Sequence, residues 1–432
     1  MSTQKVIFHV GTPKSGTTYL QDLLWHSREA LAEAGVRYPG EVPEAHFHAT
    51  RDLAQNDFNG WPDPAVQGAW SRLVEAARAH EGTTVISHEL FGDLPPEAIA
   101  RALGDLDFAE VHVVVTARDL ARQLPAVWQE DVKNRHFVPF DEFLRVVRSD
   151  AWSEAWYGRA LWLRQDVPAV VRRWAAELPP AQVHLVTVPP RGADPATLWE
   201  RFAAVVGVDP GLATPPDGRR NKSLGRAEAE LLRRLNERLD YGIDWPTYAS
   251  RITHHVAASV LAERPSSGSL TVPAGDRPWV VARAAAMVAE LRATGCQVVG
   301  DLAELEVTSE GPAREVPEPS AEELLDAALD ALVALIPTHA ARAPEEAPEG
   351  ATEETTEAGT PEDAVLDGDL PGQDALVPTP RDGDPLLAAP AELPGVAAHV
   401  AAAPARRLPV HRVDRWLRRL SVARRTGSLT SV

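Results

Sequence analysis

Within its first twenty residues the chain commits to a strand, a sharp turn and a helix. Val6-Ile7-Phe8-His9-Val10 has the β-branched, apolar character of a buried strand and runs directly into Gly11-Thr12-Pro13-Lys14-Ser15-Gly16-Thr17-Thr18, which opens an amphipathic segment. A glycine-bearing turn between a strand and a helix gathers backbone N–H groups at a helix N-terminus, an arrangement that cradles a phosphate. Gly11 and Gly16 permit close backbone approach, the Thr hydroxyls add donors and Lys14 adds a point charge. The spacing is Gly-x-x-x-x-Gly, yet a nucleotide-triphosphate loop carries Lys immediately after the second Gly, then Ser or Thr for magnesium. Here Thr17 holds the lysine position and Lys14 lies two residues before Gly16. Only four lysines (Lys5, Lys14, Lys133, Lys222) occur among 43 basic residues, so Lys14 stands out in its motif.

The same alternation continues downstream. Thr84-Val85-Ile86-Ser87, Val111 to Thr116 and Val183-His184-Leu185-Val186-Thr187 read as buried strands, with helical segments at Thr17 to Ala34, Pro96 to Leu103 and Ala227 to Leu239. Strands alternating with helices predict an α/β fold: a three-layer parallel sheet with the phosphate-binding loop after its first strand. No internal repeat interrupts it. A length of 432 residues would hold two or three average domains. All five tyrosines and eleven of the twelve tryptophans nevertheless fall in residues 1–308, which we read as one domain.

Charge marks the boundary. The chain carries a net −19, and residues 341–390 hold 13 acids against 2 arginines with no aromatic residue. Such a segment buries too little apolar surface to offset its ordering entropy, so residues 341–405 are expected to be a disordered, acidic, Pro- and Ala-rich linker. Before it, residues 309–340 contain the capping-box sequence Ser320-Ala321-Glu322-Glu323 ahead of a short amphipathic helix that should end at Pro337. After it, residues 406–432 form a basic amphipathic segment, with Val410, Val413, Trp416, Leu417 and Leu420 on one stripe among arginines. That composition suits peripheral contact with anionic lipid or another acidic surface. The acidity elsewhere argues against nucleic acid as a partner. No run of 18 apolar residues predicts a membrane span, no signal-peptide pattern opens the chain, and one cysteine (Cys296) excludes an internal disulfide. A cytoplasmic location is expected. The Arg-rich, Lys-poor, Ala- and Pro-rich composition points to a bacterial source with a GC-rich genome.

Pro13-Lys14-Ser15-Gly16-Thr17-Thr18, after a strand that begins the domain, resembles the 5′-phosphosulfate-binding loop of the sulfotransferases that use 3′-phosphoadenosine 5′-phosphosulfate (PAPS). The resemblance covers roughly residues 5–240. It implies that Lys14 contacts the bridging oxygen and the 5′-phosphate, that Ser15, Gly16, Thr17 and Thr18 bind the 5′-phosphate, and that no metal is needed. The family's 3′-phosphate site pairs an arginine at the end of a later strand with a serine eight residues on. Arg118, closing Val111 to Ala117, matches the arginine, whereas the serine position is Ala126; either Arg122, Gln123 or a residue elsewhere supplies that contact, or selectivity for the 3′-phosphate is weaker. For the base, Ser87-His88-Glu89 follows the strand Thr84 to Ile86, at a carboxyl end where ligand crevices of open α/β sheets form. In the cytosolic branch a histidine two residues after a strand lysine takes the acceptor proton. His88 matches that histidine while Ile86 replaces the lysine. Glu89 is the alternative base or an orienting partner for His88. The basic loop Arg219-Arg220-Asn221-Lys222-Ser223 is placed like the family's late donor-binding loop, so Arg220, Asn221, Lys222 and Ser223 are carried as donor contacts; Ser223 alternatively caps the next helix.

Other residues carry less. His46 and His48 lack a third ligand at metal spacing and suit a loop or acceptor-pocket role. The aromatic-rich stretch from Trp128 to Trp174 serves mainly packing, and its Trp residues beside polar side chains also suit a small-molecule or glycan acceptor. Two other functions fit the loop: a phosphate-loop nucleotide kinase or hydrolase with a displaced lysine, and a nucleotide-binding descendant without turnover.

Overall fold

The computed structural model describes residues 4–194, 196–213, 223–265, 267–309 and 318–336. Six strands make one wholly parallel sheet: β1 (Lys5–His9), β2 (Val36–Arg37), β3 (Thr83–Ser87), β4 (Glu110–Ala117), β5 (Val183–Thr187) and β6 (Gln297–Val299), in the order β2-β3-β1-β4-β5-β6. Parallel strands buried on both faces need apolar residues at every position rather than at alternate ones. β1 meets that need, with Val6, Ile7 and Phe8 all at or below 1% exposure. Ile7 pairs with Val85 of β3 on one side and with His112 of β4 on the other.

Successive side chains point to opposite faces and so build two cores. Phe8, Val113 and Val115 pack beneath Phe91, Leu124 and Trp174; Ile7, Val85 and Val114 pack beneath Leu20, Leu24 and Phe202. The Thr17–His26 and Thr197–Val206 helices thus cover one face, and Leu120–Lys133 and Val167–Ala175 lie on the other. The three-layer α/β architecture expected from the sequence is the one observed. From β1 the chain moves out to β2, returns to β3, then crosses to β4 on the far side of β1. That reversal puts the topological switch point at the carboxyl ends of β1 and β4, where open α/β sheets form their crevices.

Some elements differ from the sequence expectation. Thr17 to Ala34 is two helices, Thr17–His26 and Arg28–Glu33, parted at Ser27. β2 and β6 have two and three residues, too short for an apolar run to announce them. The capping box at Ser320 and Glu323 is formed and starts the Ala321–Leu335 helix. This helix packs on Arg226–Leu239, burying Ala327 and Ala331, with Glu323 3.1 Å from Arg226. The expected linker at 341–405 and basic segment at 406–432 lie outside the described residues. Among the described residues, no helix is long and apolar enough to cross a membrane.

Trp174 is fully buried, with its ring 5.0 Å from that of Phe8 in an edge-on contact. Trp174→Ala should therefore cost about 3–5 kcal/mol of stability, read as a lowered urea midpoint by circular dichroism; a loss under 1 kcal/mol would contradict this packing.

Candidate active site

The loop between β1 and the Thr17–His26 helix takes a shape that most residues resist. Gly11, Lys14 and Gly16 all have positive φ, at 102°, 63° and 83°. A Cβ at Gly11 would lie 2.9 Å from the Glu89 carbonyl oxygen, so glycine lets the loop press against the residue that follows β3. Gly16 caps the helix without any side-chain hydrogen bond, which leaves the N-terminal N–H groups for a ligand anion.

Beneath the loop runs a chain of buried polar groups. His9 Nδ1 lies 2.8 Å from Ser87 Oγ and its Nε2 3.2 Å from Thr116 Oγ1. Thr116 Oγ1 in turn lies 2.6 Å from Ser15 Oγ, which also donates to the Thr12 carbonyl. These contacts tie β1, β3, β4 and the loop together. They turn the Ser15 hydroxyl inward.

On the β4 side, Arg118 stands directly after the strand. Its Nε donates to Gln123 Oε1 and its Nη2 to the Arg122 carbonyl, both at 2.9 Å. Asp119 is instead engaged by Arg122. Arg118 thus hydrogen-bonds to neutral oxygens, with the Asp119 charge in its field, and burial lowers its pKa to about 10. Gln123 Nε2 and Gln165 Nε2 both donate to the Pro13 carbonyl. One glutamine therefore connects Arg118 to the loop. Ala126 lies three residues beyond Gln123, on the same face of Leu120–Lys133, and brings no polar group.

Lys14 is paired. Its Nζ lies 2.9 Å from Glu130 Oε2; the Glu130 side chain is 1% exposed and that of Lys14 is 22% exposed. On the β3 side, Glu89 accepts a hydrogen bond of 3.2 Å from Gln21 Nε2 and is 10% exposed. Burial raises the Glu89 carboxyl above the usual carboxylate range, while the Gln21 hydrogen bond and the Lys14 charge pull the other way. His88 is placed differently. Its Nδ1 accepts the Leu90 N–H at 3.2 Å, so Nε2 carries the proton; Nε2 is buried without a partner and the side chain is 1% exposed. The ring faces Phe47, and burial lowers its pKa to about 3. His88 Nδ1 lies 4.0 Å from Glu89 Oε2, and Glu89 lies within electrostatic reach of Lys14.

The structure thus brings Lys14, Ser15, Gly16, Thr17, Thr18, Arg118 and Glu89 to the carboxyl edge of the sheet. Arg220, Asn221 and Lys222 lie outside the described residues; Ser223 is described and exposed. His46 Nε2 donates to the Pro39 carbonyl and its Nδ1 accepts the Ser87 N–H, which makes it a bracing residue of β3. Among the described residues, no group of three or more His, Cys, Asp or Glu side chains is arranged to hold a metal ion. The sequence does not mark Gln21, Thr116 or Gln165 as parts of the site, and offers Glu130 only as one of several polar side chains beside the aromatic stretch that suit an acceptor.

No family model matches the sequence, and no curated protein matches it. A solved structure that resembles it is a sulfotransferase from Alicyclobacillus acidocaldarius, at 18% sequence identity and a TM-score of 0.33, covering 56% of this chain and 97% of that one. The chemistry of the site is therefore read from its own residues.

Burial holds His9, His46, His88 and His136 neutral, each lowered to about 3. An unfolded histidine titrates near ~6.5, so below that pH the unfolded chain binds more protons and the fold loses up to ~1.4 kcal/mol per pH unit per histidine. Glu89 and Asp131, raised by burial, act in the opposite sense, while His48, His112, His184 and His254, also lowered by burial, act in the same sense as the first four. The urea midpoint should fall between pH 7.5 and pH 5; an unchanged midpoint would contradict the buried-histidine account.

Proposed function

We propose that this protein is a sulfotransferase that moves a sulfuryl group from PAPS to a hydroxyl or amine acceptor, such as a carbohydrate, lipid or small metabolite. The observation that carries the reading is the meeting, at one switch point, of a helix N-terminus without a side-chain cap, Lys14, the raised carboxyl of Glu89 and Arg118 hydrogen-bonded to neutral oxygens. The helix N-terminus and the backbone of Ser15, Gly16, Thr17 and Thr18 suit the 5′-phosphate. Arg118 suits the 3′-phosphate, which separates this donor from an ordinary nucleotide.

Glu89 is assigned the base. Its raised carboxyl is the stronger proton acceptor of the two candidates, and its position beside Lys14 puts it where an acceptor must approach. His88, turned inward with Nδ1 already accepting a hydrogen bond, is assigned to bracing the segment that carries Glu89. In the transfer, the acceptor oxygen or nitrogen forms a bond to sulfur as the bond from sulfur to the bridging oxygen breaks. The acceptor proton passes to Glu89, and the bond electrons leave with adenosine 3′,5′-bisphosphate. Lys14 stabilises the charge that develops on that leaving oxygen.

Mass spectrometry of PAPS reactions with a panel of hydroxyl and amine acceptors tests the assignment. Glu89→Gln should lower kcat by about 10²–10⁴-fold, and Lys14→Ala by about 10²–10³-fold. His88→Gln should leave kcat within a few-fold in protein that folds normally. Full activity of Glu89→Gln together with loss in His88→Gln would reverse the choice of base.

A further inference from the structure

The donor loop's lysine already has a built-in anion. Glu130 lies in the last two turns of the Leu120–Lys133 helix, on the face that also presents Gln123 to the loop. Its carboxylate is nearly sealed from solvent. Oε2 takes the Lys14 ammonium at 2.9 Å, and Oε1 accepts from Asn134 Nδ2 at 3.2 Å. Lys133 Nζ stands 4.0 Å from Oε2, while Glu89 across the loop and Asp131 on the same helix add negative charge within electrostatic reach. No element requires a carboxylate here for packing. An amide of the same shape would keep the Asn134 contact and the volume.

We infer that Glu130 is an internal counter-anion that holds Lys14 until the phosphate of a ligand displaces it, so that Glu130 sets the affinity of the loop for anions. The inference rests on the donor-site reading of the loop. Lys14 has one flexible stem and two anions to serve. A ligand phosphate at the helix N-terminus gains the ammonium only as Glu130 gives it up, and the free energy of the Lys14–Glu130 pair is subtracted from binding. Lys133 and Asn134 remain beside Glu130 after the exchange, which keeps the vacated carboxylate from standing alone in a buried site. Product departure runs in reverse, with Glu130 recapturing Lys14 as the bisphosphate leaves. Glu130 is in this sense a positioning residue, acting through Lys14.

Calorimetric titration of the wild-type chain, Glu130→Gln, Glu130→Asp, Lys14→Ala and the Lys14→Ala/Glu130→Gln double variant provides the test, with inorganic pyrophosphate and adenosine 3′,5′-bisphosphate as separate probes. Glu130→Gln should bind both probes about tenfold more tightly or better, in the range of direct side-chain couplings. Glu130→Asp, with its carboxylate drawn back from Lys14, should bind with intermediate affinity. In the Lys14→Ala background the gain should vanish. A role in packing alone would not reverse with Lys14. Unchanged or weaker binding of both probes by folded Glu130→Gln, or a gain that persists without Lys14, overturns the inference. The donor reading fails separately, if the bisphosphate binds no better than pyrophosphate in any variant.

Discussion

The site depends on satisfying polar groups beneath the phosphate loop. A histidine in the central strand of a sheet buried on both faces is costly unless both ring nitrogens find partners. His9 finds them in Ser87 and Thr116, and Thr116 passes the connection to Ser15 in the loop. Three neighbouring strands and the turn are thereby locked into one relative position. A loop with three positive-φ residues has little intrinsic reason to hold its shape; bonded from below by Ser15 and from the side by Gln123 and Gln165, it is held.

That rigidity determines how charge is distributed above it. Lys14 projects from a fixed point between Glu130 and Glu89, the first a close ion-pair partner and the second a raised carboxyl within its field. Arg118 stands across the switch point, held by hydrogen bonds to neutral oxygens. Catalysis of group transfer between anions needs cations aimed at developing charge and a base near the acceptor, both set in place before the reaction starts. The framework provides that placement for the proposed transfer.

The architecture was legible in the sequence wherever an element was long and apolar. The four central strands and the loop after the first were readable because buried parallel strands and a glycine-bearing turn leave composition marks that do not depend on tertiary context. β2 and β6 leave none, since their few residues are strands only by pairing with a neighbour. Ser27 divides a helix that its apolar period alone would carry to Ala34. Within the site, Lys14, Arg118 and Glu89 stood out by motif and by position at strand ends. Glu130 stood out only as one of several polar side chains beside the aromatic stretch, because its burial and its pairing to Lys14 arise from a contact 116 residues away in sequence. The same limit applied to His88 and Glu89, whose different surroundings, Nδ1 of His88 on the Leu90 N–H and Glu89 on Gln21, are not encoded in spacing.

The central claim is that the loop and Arg118 together recognise a nucleotide by both its 5′- and its 3′-phosphate. Calorimetry of the wild-type chain with adenosine 3′,5′-bisphosphate, with 5′-AMP, and with ATP plus magnesium tests it most directly. The account predicts that the bisphosphate binds at least tenfold more tightly than 5′-AMP, that Arg118→Ala erases this preference, and that magnesium adds nothing. Magnesium-dependent binding of ATP with no preference for a 3′-phosphate would contradict it and assign the loop to nucleotide phosphoryl chemistry instead.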